Sequence, residues 1–267
     1  MLPEREPAAI GPTIGGWGCV SETDWRGYLS SFHDERAGIT EVVLDHALDK
    51  SGRTPYDWAA EVVPANAVVV DLACGSAPMA EHITYRQYLG LDLSAAELRE
   101  ASAKSLPVAQ ADATCLPLRD GSADVVVMSM ALMLVPLVET LLEVKRVLRP
   151  GGTFVATTPH NRPMPRGDWL RYAWLCVALR HPGLSYPNDR PLADAQVPFQ
   201  SAGLTLIEDQ ERAFACRIGD SDVAEQLLAS LYLPDVADER MAAGRRVMRR
   251  WIGTDLTTPI RRLVAVR

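Results

Sequence analysis

Residues 67–71 read Ala-Val-Val-Val-Asp and run directly into Leu72-Ala73-Cys74-Gly75-Ser76-Ala77-Pro78. No other segment restricts the fold so tightly. Consecutive valines without polar alternation suit a strand buried on both faces, which is the situation of inner strands in a parallel sheet. The small residues that follow permit a tight turn with close backbone approach to a ligand. The helix start beyond them offers free N–H groups to polar ligand atoms.

The segments downstream continue the alternation that a parallel sheet requires. Strands are predicted at 88–92, 108–110, 124–129 and 153–158. Between them lie a helix at 94–104, capped by Ser94, and one at 137–148, stopped by Pro150-Gly151-Gly152. A helix at 169–179, set off by prolines, reads as an insertion, and 193–202 as a further helix covering the sheet. The last strand candidates, 204–207 and 263–266, are separated by helices near 223–231 and 238–251. Strands alternating with helices predict an α/β fold with a doubly wound sheet. Upstream, a helix is expected over 24–46, with Trp25, Leu29, Phe32, Ile39, Val42 and Val43 as its apolar stripe, and Pro55 opens a short second helix. The expected organisation is a loose tail over 1–20, a helical lid over 21–60, and one sheet domain over 61–267 with insertions at about 160–192 and 215–258. The Gly15-Gly16-Trp17-Gly18 cluster follows no strand and is a weak candidate for a phosphate cradle.

Composition narrows the function classes. Across 267 residues the formal charge is −7, which argues against a nucleic-acid polyanion as the main partner. The five cysteines contain no C-x-x-C pair, so neither a metal knuckle nor a disulfide framework is expected, and a reducing cytoplasm fits. The longest apolar run, 125–138, is interrupted by Ser129 and Pro136 and falls short of the roughly 20 residues of a membrane span. The N-terminus lacks the basic and apolar regions of a signal peptide. The expectation is a soluble cytoplasmic protein with a small-molecule substrate and no nucleic-acid, membrane or metal partner; monomer and homodimer both stay open.

Asp92 follows Asp71 by 21 residues at the end of the second strand, where a carboxylate meets the two hydroxyls of a nucleotide ribose. Asp112, ending the third strand, is positioned to accept from an adenine amino group. Leu148-Arg149-Pro150-Gly151-Gly152 leads into the fifth strand. Taken in order, these motifs resemble class I S-adenosylmethionine-dependent methyltransferases, in particular the small-molecule branch with ubiquinone- and menaquinone-type enzymes and enzymes of bacterial secondary metabolism. The resemblance is clear over 66–158 and weaker over 193–212 and 261–267. It implies a Rossmann-like sheet of seven strands with the last one antiparallel. It also implies S-adenosylmethionine as cofactor, with S-adenosylhomocysteine as its product. Asp71, Ala73 and Gly75 would hold the methionine moiety, Asp92 and Leu93 the ribose, Asp112 and Ala113 the adenine, and Ser129 and Met130 would flank the sulfonium. The family's first turn carries glycine where this chain has Ala73 and Ala77. Because alanine is penalised at φ > 0, one or both are expected to hold helical or extended angles.

Read without the resemblance, Asp71 equally suits a helix cap and Asp92 a surface turn. Met128, Met130 and Met133 suit core or pocket alike, and the Arg245, Arg246, Arg249, Arg250 cluster suits a solvated helix face. Methyl transfer is an in-line displacement that depends largely on orientation, with a base needed only where the acceptor must lose a proton. His160 follows the fifth strand at its carboxyl end, the edge where open α/β sheets bind ligands, and ranks first as base. His33, on the lid, ranks second. Arg53, Tyr56 and Trp58 are placed to close over the methionine carboxylate. The expected activity is methylation of a small molecule in bacterial secondary metabolism, in a pocket built from 20–60, 160–195 and 215–258. The alternatives are an rRNA base methyltransferase and a cyclase or regulatory protein on the same fold.

Overall fold

The computed structural model describes residues 24–162 and 164–267, so the predicted tail and its glycine cluster lie outside the described residues. The chain begins with helices α1 (Trp25–Glu35) and α2 (Ile39–Asp45), a two-residue strand β1 (Ala47–Leu48) and helix α3 (Pro55–Ala60). The predicted valine strand is β2 (Ala67–Leu72), followed by α4 (Met79–His82), β3 (Tyr85–Asp92), α5 (Ala95–Ala103) and β4 (Val108–Gln110). Then come β5 (Ala123–Ser129), α6 (Leu137–Val147) and β6 (Leu148–Pro159). The remainder comprises α7 (Arg166–Leu179), α8 (Asp189–Ala193), α9 (Gln196–Ser201), β7 (Thr205–Arg217), α10 (Ser221–Ala229), α11 (Asp238–Arg249) and β8 (Asp255–Val266).

All strands form one sheet in the order β1-β7-β8-β6-β5-β2-β3-β4. β4, β3, β2, β5 and β6 run parallel, and β8 inserts antiparallel between β6 and β7. These are the seven strands expected, with the last one antiparallel. The eighth, β1, was not expected: Ala47 and Leu48 pair with Cys216 and Ala215 of β7. Two residues leave no hydrophobic pattern to read, and they tie the end of the predicted lid to the far edge of the sheet.

The central strands are buried on both faces, as the apolar runs require. In β5, Val125 and Val127 join the core that contains Trp58, Phe214 and Trp251, while Val126 and Met128 join the one around Phe154, Phe199 and Leu141. Met128 and Met133 are core residues at 1% and 2% exposure, which settles the two readings of these methionines towards packing.

Two departures have clear causes. The single helix expected over 24–46 is broken at 36–38, where Gly38 takes a left-handed φ of 77° that starts a new helix. Strands β7 and β8 are far longer than the 204–207 and 263–266 expected, because their continuation is charged. Arg261 and Arg262 are nonetheless buried in β8, each paired across the strand: Arg261 with Asp209 at 2.6 Å and Arg262 with Glu208 at 2.7 Å. The Arg262 guanidinium also lies 4.6 Å from the Trp58 ring centroid, with Arg212 at 4.7 Å. Paired, stacked arginines can fill strand positions that a hydrophobicity pattern assigns to solvent.

Candidate functional site

A cavity of about 760 Å³ lies at the carboxyl ends of β2, β3, β4 and β5. Its roof is formed by α1, the start of α2, Pro187, Asn188 and Tyr232. All nine sequence-derived cofactor candidates border it, as does His33. His160 does not. It sits in a separate surface pocket with Asp209, Glu211 and Arg261, its Nε2 3.3 Å from Glu211. The reason is the path of β6: the His160 N–H donates to the Pro259 carbonyl at 2.9 Å, so the chain leaves the sheet over the antiparallel β8 side rather than towards β2 and β5. His160 is therefore no candidate for a base in this cavity. Of Arg53, Tyr56 and Trp58, only Tyr56 borders it; Arg53 is engaged with Asp49 and Glu61, and Trp58 is core.

The three predicted aspartates stand at the ends of three successive strands. Asp71 ends the valine run and is 1% exposed. Its Oδ2 accepts the Tyr88 hydroxyl at 2.7 Å, whereas its Oδ1 is buried with no partner. Burial pushes the Asp71 carboxyl up to about 7, with the Tyr88 hydrogen bond opposing and the neighbouring Asp92 charge adding to it. Asp92 accepts the Gly75 N–H on Oδ2 and the Ser94 N–H on Oδ1, both at 2.8 Å. Burial raises its pKa too, against those two hydrogen bonds. Asp112 accepts the Thr114 N–H at 2.9 Å and hydroxyl at 2.7 Å, which hold its carboxyl below the usual range. Its other oxygen pairs with Arg26 of α1 at 3.1 Å.

The turn between β2 and α4 corrects one expectation. Ala73 (φ 54°), Gly75 (φ 55°) and Ala77 (φ 60°) all take left-handed angles, so both alanines hold a conformation that ordinarily favours glycine. Met130, at the end of β5, is left-handed as well (φ 58°), with its N–H donating to the Thr157 carbonyl at 2.8 Å. Ala73 and Met130 both line the cavity, so strained backbone is gathered around the place where a ligand must approach. The strain is testable. Ala73→Gly removes about 1–2 kcal/mol of left-handed penalty but adds about 0.4–1 kcal/mol of unfolded-state entropy. A modest rise in the urea midpoint with unchanged slope is expected, whereas Ala73→Val lowers it sharply, because a β-branched residue tolerates φ > 0 least.

The sequence reading missed the partners of His33. Glu97, three residues after the α5 cap Ser94, reads as half of a capping box. The Ser94 N–H instead goes to Asp92, and the buried Glu97 side chain turns into the cavity. There it accepts the Gly38 N–H at 2.9 Å and lies 2.8 Å from His33 Nδ1. A carboxylate can only accept, so His33 donates through Nδ1–H and Nε2 keeps its lone pair. The Tyr232 hydroxyl lies 3.3 Å from that Nε2. Tyr232 belongs to no motif, and nothing in its surrounding sequence marks it. The cavity is also lined by the apolar Trp25, Leu29, Met130, Leu134 and Val135, with Ser30, Thr40, Glu41 and Asn188 among its polar residues.

Whether a nucleoside-bearing cation fits can be judged on these residues. A buried carboxylate oxygen without a partner at β2, a second carboxylate at β3 and a third at β4 provide anions for an ammonium, a ribose and an adenine amino group in that order. The turn beside them lines the cavity from Ala73 to Ser76. The residues fit. Fold and site are the arrangement that the resemblance to class I S-adenosylmethionine-dependent methyltransferases implies.

Comparison with known proteins agrees. Residues 70–156 match the family described as "Methyltransferase domain". The ribosomal RNA-processing protein 8 of Caenorhabditis briggsae is 30% identical over 156 residues, 58% of this chain and 42% of that protein. A demethylmenaquinone methyltransferase of Mycolicibacterium vanbaalenii is 32% identical over 133 residues, 48% of this chain and 58% of that protein. The chain thus spans about half the length of the curated relatives it matches. Among solved structures, the [4+2]-cyclase SpnF superposes with a TM-score of 0.58 at 18% identity, covering 90% of this chain and 94% of that one. An S-adenosylmethionine-dependent methyltransferase of Thermotoga maritima gives 0.52 at 15% identity, covering 89% and 99%. These likenesses concern the fold.

Proposed function

We propose that this protein transfers a methyl group from S-adenosylmethionine to a small, largely apolar acceptor, with His33 taking the acceptor's proton. The observation that carries the reading is that the three strand-end carboxylates and the Glu97-held His33 share one cavity. When bound, the cofactor supplies an electrophilic methyl group on a sulfonium. The chain's own residues do the rest. Asp71 offers its free oxygen to an ammonium, Asp92 accepts from the ribose hydroxyls, and Asp112 with Ala113 receives the adenine. Leu93 covers the ribose side, and Ser129 and Met130 stand at the strand end beside the sulfonium. The lid over 21–60 contributes Trp25, Leu29 and His33, holding the acceptor out of water and in line, which is where most of the rate arises.

Small-molecule chemistry is favoured over RNA by the −7 charge and the apolar acceptor wall, and the demethylmenaquinone methyltransferase relatives support it. Bacterial secondary metabolism and a cytoplasmic setting accord with this reading. Among the described residues no helix is long and apolar enough to cross a membrane.

Calorimetry with S-adenosylhomocysteine tests the cofactor half directly. The protein binds it in the micromolar range, and Asp92→Ala weakens binding by about 1–3 kcal/mol, roughly 5- to 150-fold, because the hydroxyls lose a charged acceptor. Folded wild-type protein that binds neither this product nor S-adenosylmethionine refutes the reading.

A further inference from the structure

Helix α7 carries an apolar face that nothing among the described residues covers. Trp169, Leu170, Trp174 and Val177 are 60%, 63%, 43% and 74% exposed. At about 100° per residue, Leu170, Trp174 and Val177 fall on one stripe with Trp169 at its side. The opposite face is satisfied: Leu175 and Leu179 are core, and Asp168 is buried against Arg171 and Thr257. Two exposed tryptophans beside two exposed aliphatic residues on one helix exceed the scattered apolar exposure of an ordinary surface.

The charge around this face is unlike the rest of the molecule. The only acid in α7 is the buried Asp168, whereas Arg166 and Arg180 are exposed at its two ends. Helix α11 packs alongside and brings the exposed Arg246, Arg249 and Arg250. The Arg250 guanidinium lies 5.3 Å from the Trp174 ring centroid, so this arginine cluster adjoins the apolar stripe. In a chain of net charge −7, a tryptophan-rich stripe framed by arginines, whose neighbouring exposed acid Asp255 is paired with Arg217, is complementary to an anionic, partly apolar surface. A second copy of the chain meets it poorly, since a twofold contact through α7 opposes arginines to arginines.

We propose that α7, with the end of α11, is an interfacial docking face for an anionic lipid bilayer: the tryptophans and Leu170 enter the headgroup boundary and the arginines meet lipid phosphates. The side of α7 opposite this stripe is linked to the cavity roof. The Tyr172 hydroxyl accepts the Leu184 N–H at 2.5 Å, and the chain from there runs to Pro187 and Asn188 in the cavity roof.

Co-sedimentation with vesicles of phosphatidylcholine alone, or mixed with phosphatidylglycerol, tests this independently of cofactor binding. Binding is expected to the mixed vesicles, to fall steeply at high salt, and to be weaker on phosphatidylcholine. Trp169→Glu/Trp174→Glu, shown to be folded by an unchanged circular dichroism spectrum and urea midpoint, should partition at least about tenfold more weakly. Arg249→Glu/Arg250→Glu should lose the phosphatidylglycerol preference. Three results overturn the proposal: no vesicle binding by the wild type, a concentration-dependent dimer that the tryptophan variant dissolves, and vesicle binding that emerges only when residues 1–23 are removed.

Discussion

Asp71→Asn is expected to make the protein more stable at pH 8 and a poorer cofactor binder. The wild-type carboxyl titrates near 7 when folded, against 3.8 for the free side chain. A raised carboxyl pKa means that the folded state holds its proton longer than the unfolded chain, so stability falls as pH rises from about 4 to about 7 and stays reduced above that. The difference corresponds to up to about 4 kcal/mol for a fully buried group, an upper bound because the cavity admits water once α1 moves. The asparagine side chain has the same shape and can still accept the Tyr88 hydroxyl, but carries no charge to desolvate. Urea unfolding at pH 5 and pH 8 should show a wild-type loss of about 2 kcal/mol or more that the variant lacks. Binding moves the other way. An ammonium paired with a buried carboxylate contributes about 1.5–3 kcal/mol, so the variant binds S-adenosylhomocysteine about 10- to 150-fold more weakly. Wild-type affinity should rise between pH 6 and pH 7.5 as Asp71 ionises. If stability and affinity fall together, Asp71 serves packing rather than charge.

His33→Ala should lower kcat by about 10²–10³ while S-adenosylhomocysteine affinity stays within about threefold, because in the proposed reaction the imidazole acts on the acceptor's proton and not on the cofactor. In the proposed reaction His33 Nε2 would take the proton that the acceptor gives up, while the cofactor held by Asp71, Asp92 and Asp112 would supply the methyl group and leave as the neutral thioether. Added imidazole should restore part of the rate in His33→Ala, since the truncation leaves room for it. Glu97→Gln leaves one acceptor oxygen for two donors, the Gly38 N–H and His33 Nδ1–H, and removes the carboxylate facing the ring; about a tenfold loss in kcat with little change in KM is expected. A His33→Ala enzyme that turns over at the wild-type rate removes the base from the mechanism.

The parts of the fold that could be read in advance were those with an unbroken physical signal. The valine run, the turn of small residues and the spacing from Asp71 to Asp92 located β2, β3 and the cofactor half of the cavity, because parallel strands and tight turns impose their composition locally. The acceptor half was much less legible. Its groups arrive from distant elements: His33 from α1, Glu97 from α5 and Tyr232 from the loop after α10, so no single stretch carries the pattern. His160 was misplaced because strand-end position alone does not reveal the direction in which the chain leaves the sheet. The angles at Ala73 and Ala77 were misjudged for a related reason. Intrinsic preference pointed away from φ > 0, yet the turn geometry demanded by the site prevailed over it.

The ion pair between Arg26 and Asp112 has a kinetic meaning. It crosses from α1 to the end of the strand where adenine is received, and with side chains 75% and 33% exposed it holds by little energy. Receiving adenine at Asp112 would require these two residues to part, so α1 would work as a gate with a weak latch. Where opening of such a gate sets the pace, turnover follows departure of the demethylated product more than the bond exchange itself. The enzyme would then spend most of its cycle loaded, and rising product concentration, rather than scarce acceptor, would be what slows it.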